Sequence, residues 1–212
     1  MEEGKNLKNL REYEYGALRE LENIGIGNSA TSLYKLTNNL VQTRVLGAKF
    51  ELIENIPKIT GISEFPVLGS FMHIEKDLSG YILIFFPEKS VKNLSIILSG
   101  EDRGIDSVDT ISRSLIEEVS HILAGTYVTA LSTFLGLNIL ISTPYTVYDM
   151  FGSILNSVLT EMSCKTDFAL LLDAEFLIKE EKIYGNVLTL FDPASLEYIL
   201  KRIDEIFPRK SA

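Results

Sequence analysis

Residues 18–36 (LRELENIGIGNSATSLYKL) and residues 116–134 (IEEVSHILAGTYVTALSTF) are two versions of one pattern. A shift of 98 pairs Glu20 with Glu118, Ile24 with Ile122, Gly27 with Gly125, Thr31 with Thr129 and Leu33 with Leu131. Five identities in nineteen positions would carry little alone, but a second match follows in the same order. GYILIFFPEKS from Gly80 aligns with GNVLTLFDPAS from Gly185 at Gly80/Gly185, Leu83/Leu188, Phe86/Phe191 and Ser90/Ser195, with seven extra residues between the matched segments of the second half. An internal duplication accounts for both. The chain is therefore expected to be one domain over 1–212, made of two homologous halves at about 1–100 and 110–212.

Each half opens with a helical period, continues through extended segments and closes on a short helix. Alternation predicts strands at Arg44 to Ile53, Val67 to Ile74 and Gly80 to Phe86, then a helix from Ser90 to Leu98. In the second half the corresponding segments are Leu140 to Tyr148, Phe168 to Ile178, Gly185 to Phe191 and the helix Ser195 to Ile206. The polar stretch Ser99 to Asp109 is expected to be an exposed join. Apolar strands need a covering layer, and the helices provide it. The fold class that follows is α/β: a two-layer sandwich with pseudo-twofold internal duplication, a mostly antiparallel central sheet and two long motif-bearing helices.

Composition narrows function. The 212 residues are 46% hydrophobic and 23% charged, ordinary for a globular protein. Twenty Lys and Arg against 29 Asp and Glu give a net charge of −9, which repels a phosphate backbone and argues against nucleic acid as a partner. The lone Cys164 has no internal disulfide partner, and with only two histidines, His73 and His121, an all-protein zinc site would need unusual ligands. Met1 to Glu14 is charged throughout, and no run reaches the roughly 18 apolar residues of a membrane span. A cytoplasmic protein without membrane insertion is the expectation.

At about 100° per residue, Ala17, Leu18, Leu21, Ile24, Leu33 and Leu36 share the inward side of the first long helix. Gly16, Glu20, Asn23, Gly27 and Ala30 share the other. In the second helix Leu115, Ile116, Val119, Ile122, Leu131 and Phe134 are expected to face inward, and Ser114, Glu118, His121, Gly125 and Ser132 outward. Glycine within a helix costs about 1 kcal/mol relative to alanine, so an outward stripe of glycine around an acid and an amide invites close approach by another molecule.

These residues resemble the signature of the CheC/CheX/FliY family of chemotaxis phosphatases: Asp or Ser, three residues, Glu, two residues, Asn, then an Ile-Gly-x-Gly-Asn-like run. The first copy, G-ALR-E-LE-N-IGIGN, keeps Glu20 and Asn23 and has Gly16 at the Asp or Ser position. The second, S-LIE-E-VS-H-ILAG, keeps Ser114 and Glu118 and has His121 at the Asn position. Layout and length resemble the CheC type, which carries two motifs. The resemblance implies a phosphatase acting on the aspartyl phosphate of CheY. It implies Glu20, Asn23, Glu118 and His121 as catalytic residues, no cofactor on this chain, Mg²⁺ held by CheY, and CheD as a further partner. It also implies the division of labour, in which the glutamate docks a lysine of CheY and the amide orients an in-line water. That division suits an acyl phosphate, whose dissociative transition state asks for positioning more than covalent chemistry. His121 differs from an amide in length and donor geometry, so the second site is expected to be the weaker.

Rival readings are poorer. Gly25 to Ala30 spells the dinucleotide pattern GxGxxA, with Glu51 at the distance of a ribose acid, but it continues a helical period and follows no strand. Glu118-x-x-His121 has di-iron spacing without the second Glu-x-x-His that such sites need. His73 and Cys164 are given no role. The alternative of a different class is a non-catalytic binding module of the chemotaxis or flagellar switch system, a FliM-like scaffold or a CheD-binding regulator.

Overall fold

The computed structural model describes residues 10–59, 65–100, 109–164 and 166–207; most of the expected join, 101–108, lies outside them. The chain runs α1 (Glu12–Thr37), β1 (Gln42–Leu52), a 3-10 turn into the one-turn α2 (Ile56–Ile59), β2 (Pro66–Lys76), β3 (Gly80–Pro87) and α3 (Glu88–Ser99). The second half follows with α4 (Thr110–Leu135), β4 (Ile139–Ile141), β5 (Tyr145–Met150), α5 (Phe151–Ser163), β6 (Phe168–Ile178), β7 (Ile183–Phe191) and α6 (Pro193–Ile206). The expected strands and closing helices are all present. The one predicted over Leu140 to Tyr148 is interrupted around Pro144, which has no N–H for a ladder, and its pieces β4 and β5 pair with successive parts of β2.

The sheet order is β1-β6-β7-β3-β2-β4, with β5 also on β2, and every pairing is antiparallel. Leu83 pairs directly with its repeat mate Leu188, so the relation between the halves passes through the centre of the sheet. The outer strands are exchanged: β1 of the first half lies on β6 of the second, while β4 and β5 of the second lie on β2 of the first. The matched serines repeat the exchange. Ser195 Oγ accepts from the N–H of Ser79 at 2.8 Å, and Ser90 Oγ accepts from that of Tyr184 at 2.9 Å.

The matched glycines Gly80 and Gly185 are sites of close approach. A Cβ at Gly80 would stand 2.0 Å from the Leu190 carbonyl oxygen, and one at Gly185 would stand 2.3 Å from the Phe176 ring.

Alternation along the strands splits the core in two. Ile82, Ile84, Phe86, Leu170, Leu172, Ala174 and Val187 face α1, α3, α4 and α6. Tyr81, Leu83, Phe85, Leu171, Leu188 and Leu190 face the other way, where α5 supplies Phe151, Ile154, Leu155, Val158 and Leu159. A fully buried leucine of this kind contributes roughly 1.5–3 kcal/mol. The sequence reading does not assign α5, which adds cover on that second face. Asp109 and Asp192 start α4 and α6, each accepting a backbone N–H at 2.7 Å from Ser112 and Ser195.

Candidate active site

The two long helices lie side by side and antiparallel, since Gly25 meets Tyr127 while Ser29 Oγ donates to the Leu123 carbonyl at 2.8 Å. The duplication exchanges these two contacts. Its centre falls at Gly27 and Gly125, both half-buried with open space above them. The GxGxxA run lies inside continuous helix, so it forms no phosphate loop, and Glu51 instead accepts from Leu52 N–H and the Asn55 amide at 2.8 and 3.0 Å.

Glu20 and Asn23 are both exposed on α1, and the Asn23 amide points Nδ2 at Glu20 Oε2 from 3.5 Å. They act as one surface pair. Glu118 and His121 occupy the equivalent exposed places on α4. Each glutamate lies seven residues before the central glycine of its own helix, so the two pairs sit at opposite ends of the crossing, roughly 20 Å apart along it. The structure brings each pair together and keeps the two pairs separate. Ser114 is exposed and its hydroxyl returns to the Thr110 carbonyl at 3.1 Å.

Between the pairs runs an open groove lined by Ile24, Asn28, Ile122, Gly125, Thr126 and Thr129, about 690 Å³. Two of its polar side chains bond back to their own helix: Asn28 Nδ2 donates to Ile24 O at 2.8 Å and Thr126 Oγ1 to Ile122 O at 3.0 Å. A smaller hollow of about 280 Å³ opens beside Glu20 between Tyr13, Gly16, Ala17, Phe134 and Phe207. The missing side chain at Gly16 leaves space there, with nothing within 4 Å of where a Cβ would be.

The expected helix faces need correction. Leu36 is exposed rather than inward, and Ile24, Ile122 and Phe134 are half-buried groove residues; the inward stripe of α1 runs instead through Leu18, Leu21, Glu22, Gly25, Ile26, Ser29 and Leu33, and that of α4 through Ile116, Val119, Leu123, Tyr127 and Leu131. Glu22 is the residue that sequence reasoning missed. It stands four residues after Leu18 and four before Ile26, so periodicity alone points it inward; its charge hid it.

The His73 ring packs at a tilt against that of Tyr81 with ring centres 4.6 Å apart, and Cys164 is exposed. Among the described residues, no three His, Cys, Asp or Glu side chains gather to hold a metal ion, and no helix is long and apolar enough to cross a membrane.

Comparison with known proteins supplies the remaining observation. The chain is 30% identical over 196 residues to the CheY-P phosphatase CheC of Bacillus subtilis, spanning 89% of this chain and 92% of that protein. This chain belongs to the CheC-like family. The CheC-like family model itself matches residues 111–148, which contain Glu118 and His121. Among solved structures, the CheC-like fold seen here resembles Thermotoga maritima FliY at a TM-score of 0.73 and 18% identity, covering 92% of this chain and 98% of that one. It also resembles FliM in a FliM–SpeE complex from H. pylori, at a TM-score of 0.67 and 8% identity, covering 95% and 100%. At such identities these likenesses concern the fold alone.

Proposed function

We propose that this CheC-like protein hydrolyses the aspartyl phosphate of a CheY-type response regulator, with Glu20 and Asn23 as its principal catalytic pair. The observation that carries the reading is the pair itself: an acid and an amide on one exposed stripe, 3.5 Å apart, beside a hollow left open at Gly16. Carboxylate and amide divide the work by their chemistry. Glu20 accepts from a lysine of the docked regulator, while Asn23, which both donates and accepts, holds water in line with the phosphorus. Mg²⁺ belongs to the regulator in this reading, and CheD is a further candidate partner. Decay of the phosphorylated regulator, with and without this protein and with Mg²⁺ present, is the test; an unchanged lifetime at saturating protein refutes the reading.

A second reading keeps the docking surface and drops the chemistry, since one fold can host either. It makes the molecule a non-catalytic docking module. Glu20→Lys bears on both. Replacing attraction to a lysine by repulsion is expected to weaken binding of a regulator carrying a phosphate mimic about 10-fold or more, read by calorimetric titration. Binding unaffected by this change would remove Glu20 from the interface.

The α4 pair gives a separate expectation. His121→Asn places an amide beside Glu118 on an exposed surface, at little cost in stability. In an Asn23→Ala background it is expected to restore regulator dephosphorylation. If wild-type His121 supports turnover in that background and the asparagine does not, the imidazole is itself catalytic.

A further inference from the structure

Glu22 lies between Glu20 and Asn23 in sequence and points the opposite way, into the core, where it is fully buried. One carboxyl oxygen, Oε2, accepts from the hydroxyl of Tyr127 on α4, itself fully buried. The other, Oε1, has no hydrogen-bond partner. The Tyr127 ring lies over the next turn of α1, so that a Cβ at Gly25 would come within 2.4 Å of it. Ring and hydroxyl together hold the α1 turn that bears Asn23.

The duplication provides an internal control. The repeat mates of Glu22 and Tyr127 are Ser120 and Ser29. Ser29 turns its hydroxyl to the Leu123 carbonyl, and Ser120 Oγ is buried without a partner. Of these two matched positions among the described residues, only that at the Glu20/Asn23 end of the crossing therefore carries a bond from a side chain of one long helix to a side chain of the other.

We propose that Glu22 is a positioning residue for the α1 site: as a neutral carboxylic acid bonded to Tyr127, it sets the rotation of α1 against α4 and so the aim of Glu20 and Asn23. This rests on the phosphatase reading above. A neutral acid suits the place. Burial, with a contribution from Asp173 on β6, pushes the Glu22 carboxyl up to about 8, while the bond from Tyr127 opposes it. The titratable groups acting on it are Tyr127 from α4 and Asp173 from β6. The same core takes in Val91 and Leu94 of α3, with Val45 and Phe50 of β1 packed against it, all apolar. Ionisation leaves an anion in that core with one oxygen unpaired, and turning the helix toward water relieves it.

The sign with pH follows. The folded chain holds this proton more tightly than the unfolded one, so stability falls as pH rises toward 8 and levels off above it. Asp173, pushed up to about 7 mainly by burial, contributes a similar fall ending lower, and that fall remains in Glu22 variants.

The test compares wild type, Glu22→Gln and Tyr127→Phe, the last keeping the ring over Gly25 while removing the bond. Two readouts are followed between pH 6 and 9.5: the Asn23 side-chain amide resonances, and kcat and KM for regulator dephosphorylation. In the wild type the Asn23 resonances are expected to titrate near pH 8, with kcat falling in step and KM steady. Glu22→Gln is expected to keep the low-pH kcat within about twofold and to abolish the titration; Tyr127→Phe is expected to lower kcat several-fold at pH 6 without changing KM. Asn23 resonances that do not titrate, or that titrate alike in Glu22→Gln, overturn the proposal even if the protein proves inactive. Titrating resonances in a protein without phosphatase activity refute the catalytic reading and leave the positioning pair standing.

Discussion

Asn23→Ala is expected to slow turnover at the α1 site by about 100-fold or more while leaving regulator affinity within about twofold. The magnitude is that of removing one preorganised donor aimed at a transition state. Under the proposed function affinity is spared, because an amide that orients water for in-line attack does its work in the transition state and not in the docked ground state. The measurement is single-turnover decay of the phosphorylated regulator at saturating protein, paired with a binding titration using a phosphate mimic. Residual rate then reports the α4 pair directly, since Glu118 and His121 lie at the far end of the crossing and share no side chain with Asn23. A mutant that loses affinity and rate in equal measure would mean that the amide is a docking group, and would move the chemistry elsewhere.

Gly80→Ala is expected to cost about 3 kcal/mol or more, or to prevent folding. The added carbon would stand 2.0 Å from the Leu190 carbonyl oxygen, a rigid backbone atom in the neighbouring strand β7, and the collision falls within the central β3–β7 pairing, where Gly80 faces Phe191. Gly27→Ala is the contrast: it meets open space in mid-helix and is expected to raise stability by about 0.5–1 kcal/mol. Denaturant melts of the two variants against wild type read both effects. Equal stabilities would mean that the strands move apart at little cost, contrary to the tight interstrand contact at Gly80.

The repeat was the most legible feature because it depends on order and spacing, not on any single propensity. Its matched residues prove structurally equivalent: Leu83 pairs with Leu188, Gly80 and Gly185 are both crowded, and Ser90 and Ser195 make the same bond. The helix α5 was readable and unread. Phe151, Ile154, Leu155, Val158, Leu159 and Met162 recur at helical spacing and are all buried, but they lie outside both segments matched by the repeat. The exchange of outer strands lay beyond local pattern, because alternation reveals which face of a strand is buried and says nothing of which strand lies beside it. At the candidate site the outward pairs follow from periodicity alone. The inward glutamate shares that periodicity, at four residues from both Leu18 and Ile26, but its charge argues against burial, and a buried carboxyl is the exception that hydropathy is least able to find.

The exchanged outer strands bear on how the two helix pairs can diverge. Either half, taken alone, would leave its own inner strands with a bare edge where the other half's strand belongs. Neither can be discarded, so the second half is retained for mechanical reasons whatever its surface does. Folding requires Ile116, Val119, Leu123 and Tyr127 of α4 because they are buried, and makes no such demand of the exposed Glu118 and His121. A duplicated site in this architecture is thus free to wander chemically while its scaffold stays compulsory, which gives a physical route to one helix bearing asparagine and its twin bearing histidine on a shared frame.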